Sequence, residues 1–274
     1  MSILGNNLLA QYYARQNFGP KANEIWYFAP EQVTLQTTST TYNSVISHYF
    51  ADGKGVVTFD KPFIPDVSAS RKSTVPALFN GTARNMTRVV LPNGIQQFQN
   101  YFCNNCVSLT DINIPPTVEG ISVYCFSYCY VLKPIKFPNI TYIQQYAFSQ
   151  CRLLDYTFLP DTIKVLAGFG ACPKLALTRL PASLVTLEYG AFDNSPNIEI
   201  KRIPATCNSI KGNAFRGCTK ITEITFDGTP AEIVDTAFTG CVNLAVIRVP
   251  WSEGEVAGAP WGATNATIIY NYQP

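Results

Sequence analysis

Nine cysteines stand in this chain, and two pairs of them have the spacing of metal ligands. Cys103 and Cys106 form a C-x2-C, and Cys125 and Cys129 a C-x3-C. Thiolates spaced in this way hold structural zinc when four of them converge. The wider pattern points elsewhere. Cys106, Cys129, Cys151, Cys172, Cys218 and Cys241 form one column of a repeat, where a small apolar group packs at a turn. Unoxidised cysteine is a frequent core residue. Stacked members of a column would lie within the Cα separation that a disulfide tolerates. An odd count and core-facing positions nevertheless favour thiols. The expectation is a buried, reduced column and no metal. Cys103, Cys125 and Cys207 lie off that column.

Other chemistry is sparse. His48 is the sole histidine, so a Ser-His-Asp or Cys-His arrangement would have to use it. It lies in a Tyr/Phe-flanked strand, and no Asp or Glu pattern points to it. Glu253 and Glu255 are the one close carboxylate pair, but they flank Gly254 in a loop where nothing fixes the separation a glycosidase needs. Glycine-rich phosphate loops, HExxH and EF-hand loops are absent. These observations predict a protein that is not an enzyme and carries no cofactor.

The elements that position these residues follow a repeat. An aromatic-plus-three spacing returns as Cys103/Cys106, Phe126/Cys129, Phe148/Cys151, Phe169/Cys172, Phe192/Ser195, Phe215/Cys218 and Phe238/Cys241. Successive pairs are 23, 22, 21, 23, 23 and 23 residues apart. Twelve residues after each first member comes a proline, except at Asp227. A fixed period in the low twenties predicts a solenoid, since one such unit must stack on its neighbours to bury its apolar face. Counted from the cysteine, positions +3 and +8 are apolar in every unit, as a continuous core requires. The stretch from +5 to +8 reads as a short strand with side chains alternating in and out. The proline that follows has no N–H and ends it.

The segments "YIQQYAFSQCRLL", "SIKGNAFRGCTKITEITF" and "IVDTAFTGCVNLAVIRVP" resemble BspA-type leucine-rich repeats over about residues 85 to 250. Cys103 replaces the aromatic, Ser195 replaces the cysteine, and the rung around Phe169 is two residues short. The resemblance implies a β-rich α/β solenoid of about eight rungs with one short parallel sheet and little helix. Within it, residues 55–250 form the solenoid, its first rung (55–92) degenerate. "GVVTFD" there echoes "EITFDG", and a loop within Ser68–Thr74 protrudes. Residues 1–54 are read as an attachment segment and a non-repeating β-rich cap, with an amphipathic pattern over 2–15. Residues 251–274, with Trp251 and Trp261, are read as the second cap.

If +5 and +7 face outward, Tyr156, Phe158, Leu177, Arg179, Ile200 and Arg202 share one exposed face, with Arg248 at its end. Aromatic and arginine side chains on a rigid sheet make a binding patch. The predicted ligand-binding residues are Tyr156, Phe158, Arg179, Arg202 and Arg248. A second register competes. In the three middle rungs +6 is Thr157, Thr178 and Lys201 instead of an apolar residue, and a one-residue slip would turn Tyr156, Leu177 and Ile200 inward.

The chain has 274 residues, 47% apolar and 14% charged, with net charge +2 and no basic run. That composition gives ample core and no sign of a nucleic-acid partner. No apolar stretch approaches the ~20 residues of a membrane span, and the N-terminus lacks the layout of a secretory signal. The start "GNNLLAQYYA" and the ending "VPWSEGEVAGAPWGATNATIIYNY" resemble leucine-rich-repeat proteins encoded among bacteriophage structural genes. This implies a virion surface protein, a tail adhesin or a decoration protein, held to a larger assembly through residues 1–24. Its partner would be a protein or carbohydrate on a cell or virion surface. The alternative is a bacterial cell-surface or secreted BspA-type adhesin.

Overall fold

The structure is a computed structural model that describes residues 19–36, 43–64 and 73–273. The amphipathic pattern over 2–15, most of the attachment segment 1–24 and most of the protruding loop lie outside the described residues.

The chain begins with β1 (Glu24–Phe28), β2 (Val45–Ala51) and β3 (Lys54–Phe59), followed by β4 (Thr74–Val75), β5 (Arg88–Val90) and β6 (Gln97–Phe98). Next come β7 (Asp111–Ile112), β8 (Gly120–Ile121), β9 (Tyr142–Ile143), β10 (Val165–Leu166), β11 (Thr186–Leu187) and β12 (Arg202–Ile203). The last are β13 (Ser209–Ile210), β14 (Glu223–Phe226), β15 (Glu232–Ile233), β16 (Val246–Arg248) and β17 (Thr267–Ile269). Among the described residues no helix forms.

The strands build two walls where the sequence predicted one sheet. The first wall holds the pre-proline strands. It runs β5–β7 and then β12–β14–β16–β17, all parallel. The second holds β4–β6 and β8–β9–β10–β11–β13–β15, also parallel, with β6 beside β8. Its inward residues Ile121, Ile143, Leu187, Ile210 and Ile233 lie five positions before each phenylalanine, and Leu166 serves the short rung. Two-residue strands are too brief to show alternation, so in the sequence this wall is only an apolar column ahead of the phenylalanines and does not read as strand.

Between the walls the phenylalanine column fills the core. Phe126, Phe148, Phe169, Phe192, Phe215 and Phe238 are fully buried. Their ring centroids follow one another at 5.4, 5.1, 6.4, 5.7 and 5.1 Å. Such contacts contribute about 0.5–1.5 kcal/mol each beyond burial. Where Cys103 breaks the column, Phe98 and Phe102 bridge from Phe79 to Phe126. A third ladder runs along the turn that carries the column. The N–H groups of Phe126, Phe148, Phe169, Phe192 and Phe215 donate to Ala147, Gly168, Ala191, Ala214 and Ala237 in the next rung, at 2.8–2.9 Å.

The N-terminal end differs from the sequence expectation. β3 pairs antiparallel with both β2 and β1, and β1 pairs antiparallel with β5. The "GVVTFD" segment therefore belongs to an antiparallel end piece and not to a first parallel rung. A strand that returns through a tight Asp52–Gly53 turn, both at positive φ, cannot run parallel to its predecessor. At the other end β17 extends the parallel wall by one strand. Trp251 and Trp261 are buried there against Phe226, with centroids 5.1 and 6.2 Å away.

Candidate binding surface

The thiol column is structural. All nine cysteines are buried and free. Each column member donates its S–H to a backbone carbonyl of the preceding rung. Cys129 reaches Cys103 O at 3.2 Å, Cys151 reaches Phe126 O at 3.1 Å, and Cys241 reaches Phe215 O at 3.0 Å. Ser195 makes the same bond to Phe169 O at 2.6 Å and accepts the Cys172 N–H. Burial pushes the thiols of Cys129, Cys151 and Cys218 well up and those of Cys172 and Cys241 to about 12, so these five stay protonated and unreactive. Among the described residues no three His, Cys, Asp or Glu side chains are arranged to hold a metal ion.

His48 is also accounted for by packing. Its Nε2 lies 2.7 Å from the hydroxyl of buried Tyr27, which also accepts the Val33 N–H at 3.3 Å, and its Nδ1 lies 3.3 Å from Gln32 Nε2. Glu253 and Glu255 are exposed in their loop.

Only some of the residues of the predicted patch face outward, because the middle rungs take the slipped register. Leu177 and Ile200 are buried, and Thr157, Thr178 and Lys201 face out. Tyr156 is therefore not an outward ligand contact. Its ring packs on the core beside Phe137 and Phe169. Its hydroxyl accepts the Ile135 N–H and donates to Ile135 O, both at 2.7 Å. The Tyr156 and Leu177 rungs carry no first-wall strand, whereas the Ile200 rung keeps β12, and the phenol takes the place of a neighbouring backbone.

Phe158, Arg179 and Arg202 stay outside even so, since each slipped rung shows two consecutive residues to solvent. Phe158 is 62% exposed, and the Arg179 guanidinium lies 5.7 Å from its ring centroid. The arginines are paired across rungs. Arg179 grips Asp161 through two bonds, of 2.6 and 3.3 Å, and this, with the Ala182 N–H, lowers the Asp161 pKa. Arg202 pairs with Asp227. Arg248 donates to Glu223 at 2.8 Å and lies over the Tyr272 ring. Exposed pairs of this kind contribute about 0–1 kcal/mol each, so they orient the guanidinium groups more than they hold the fold.

Sequence reasoning missed a second surface. Tyr101, Tyr124 and Tyr146 sit two residues before the first member of successive pairs, at the turn beside the second wall. Their rings stack at 5.0 and 4.8 Å with interplanar angles of 6° and 15°. The signal was a column of tyrosines in register with the repeat.

The comparisons agree with this architecture. A family profile described as BspA type leucine rich repeat region matches residues 76–168 and 166–257, in six copies. A leucine-rich repeat protein from Bacteroides ovatus has a similar fold, with TM-score 0.58 and 20% identity over 89% of this chain and 70% of that one. A leucine rich cell surface protein from Faecalibacterium prausnitzii aligns more loosely, with TM-score 0.43 and 18% identity over 61% of this chain and 60% of that one. No curated protein matches the sequence. With most of the solenoid covered by the family's repeat, two walls of stacked strands and a fold shared with a leucine-rich repeat structure, the chain belongs to the BspA-type leucine-rich repeat family.

Proposed function

We propose that this chain is a non-enzymatic binding module that works at a bacterial cell surface. It would meet a macromolecular partner through the outer face around Phe158, Arg179, Arg202 and Arg248. The observation that carries this is Phe158, a phenylalanine left 62% exposed beside an arginine on a rigid stack. An apolar ring kept in water, next to a guanidinium oriented by its carboxylate, has the make-up of an interface anchor. Membership in a leucine-rich repeat family, whose stacked rungs present an extended surface, supports the same reading. A second placement, on a virion with attachment through residues 1–24, is favoured by the likeness of the two ends to phage-encoded proteins.

Two measurements test this. Immunogold labelling of intact cells of the source bacterium and of purified phage particles separates the placements. For binding, fluorescently labelled protein is titrated onto cell-envelope preparations. Phe158→Ala and the double variant Arg179→Ala/Arg202→Ala are expected to bind about tenfold more weakly, as for the loss of an anchor of about 1–2 kcal/mol, with unfolding midpoints unchanged. Equal binding by both variants would remove this face from the proposal.

A further inference from the structure

The tyrosine column at the turn is costly to keep. Tyr101, Tyr124 and Tyr146 have φ of 66°, 54° and 57°, and Tyr128, four residues after Tyr124, has 60°. This left-handed region disfavours any side chain with a Cβ. The fold does not need tyrosine there. At the same repeat position, two and three rungs beyond Tyr146, stand Gly190 (φ 62°) and Asn213 (φ 58°), the residue types that tolerate this backbone best. Strain held against cheaper options is found at functional sites.

The rings form an exposed ridge. Tyr101 is 40% and Tyr128 42% exposed, and Tyr124 and Tyr146 are half-buried. Parallel rings with centroids about 5 Å apart overlap like shingles, because close-packed ring planes lie nearer than that. Each therefore shows part of a face, an edge and a hydroxyl. Tyr101, Tyr128 and Tyr146 all lie within electrostatic reach of Tyr124. Beyond the gap at Ala167 and Gly190 the surface resumes with Tyr189, whose hydroxyl accepts a 2.8 Å bond from Asn213. Arg216 is there too, held by Asp193 through two bonds of 2.6 Å.

We propose that this ridge binds a neutral glycan chain laid along the solenoid axis. Aromatic faces receive the C–H face of a sugar ring, and phenol and amide groups exchange hydrogen bonds with its hydroxyls. Arg216 is matched by Asp193, and Arg152 lies over the Tyr130 ring beside Tyr128, so the ridge offers a charged polymer no row of free charges. No ridge tyrosine lines either of two open clefts, one of about 460 Å³ near His48 and one of about 720 Å³ near Thr117. An open ridge suits an extended chain better than a small ligand, and it lacks the desolvated pocket that anchors a protein hot spot. The proposal does not rest on the Phe158 face.

The test is native affinity electrophoresis of the full chain through gels containing a soluble neutral glucan, mannan, galactan or xylan. The expected result is retardation by at least one polysaccharide. The double variant Tyr124→Gly/Tyr146→Gly should bind about tenfold more weakly or worse, as for two truncated contact residues. Glycine fits these φ values, so the variant should fold, and Tyr124→Asn/Tyr146→Asn provides a second route, following Asn213. Migration unaffected by all four polysaccharides overturns the proposal, as does undiminished binding by either tyrosine variant when circular dichroism shows it folded. Capture by the ridge of a cell-surface partner that protease destroys and periodate spares would assign a protein partner and overturn it as well.

Discussion

Ser195 stands where six rungs have cysteine, and its hydroxyl makes the bond that their thiols make. The column thus needs a small donor, and sulfur is incidental. Ser195→Cys should cost less than about 1 kcal/mol, whereas Ser195→Ala leaves Phe169 O and the Cys172 N–H without a partner and should cost about 1–3 kcal/mol. Denaturant titration distinguishes the two. A thiol reagent added to the native protein should label few of the nine cysteines and reach all of them after denaturation; fast native labelling of Cys151 or Cys218 would contradict the burial. His48 gives a pH signature. Desolvation lowers its pKa in the folded chain below the ordinary histidine value of about 6.5. As pH falls, the unfolded chain takes up the proton first. Stability should therefore be complete above about pH 6.5 and decline as the pH drops through the folded-state value. His48→Gln should flatten that decline, and an unchanged slope would show that His48 is not its source. At this scale the sequence was informative where a residue type recurred in one column. Its account of Tyr156 failed because register depends on what the core can accept.

Register is an element-scale property, and the middle rungs show how it is decided. A polar residue at +6 cannot enter the core, so the apolar residue at +5 does; the rungs of Tyr156 and Leu177 give up their strand, and that of Ile200 keeps only the two residues of β12. The freed backbone of Ile135 is then satisfied by the Tyr156 hydroxyl. Tyr156→Phe should cost about 1–3 kcal/mol by removing that partner from buried groups. Phe215→Ala should cost about 3–5 kcal/mol through its cavity, and Phe158→Ala little. A loss at Phe158 equal to that at Phe215 would contradict the observed register. The phenylalanine, cysteine and proline columns were legible because three spacings agreed over seven units. The second wall and the antiparallel end were not. Two-residue strands carry no alternation, and "GVVTF" reads the same whichever direction its partner runs.

At the scale of the whole molecule, stability is close to a sum of rungs and their interfaces, and the ends carry a burden the middle does not. The C-terminal end shows this. Trp261 O accepts the Phe238 N–H, β17 covers the edge of β16, and two buried indoles lie on Phe226. Removing residues 251–273 would expose Phe226 and leave the first wall with an open, apolar edge, the state that leads to aggregation. Removing one internal rung, residues 205–227, takes out one strand from each wall and lets the flanking rungs meet with the same columns aligned. The rung deletion should remain soluble and unfold cooperatively, with a lower midpoint and an m-value reduced roughly in proportion to the surface lost. The end deletion should aggregate or unfold at far lower denaturant, although it removes about as many residues. Size-exclusion chromatography and urea unfolding of the two variants provide the comparison. If they behave alike, residues 251–273 are one more rung and not a cap.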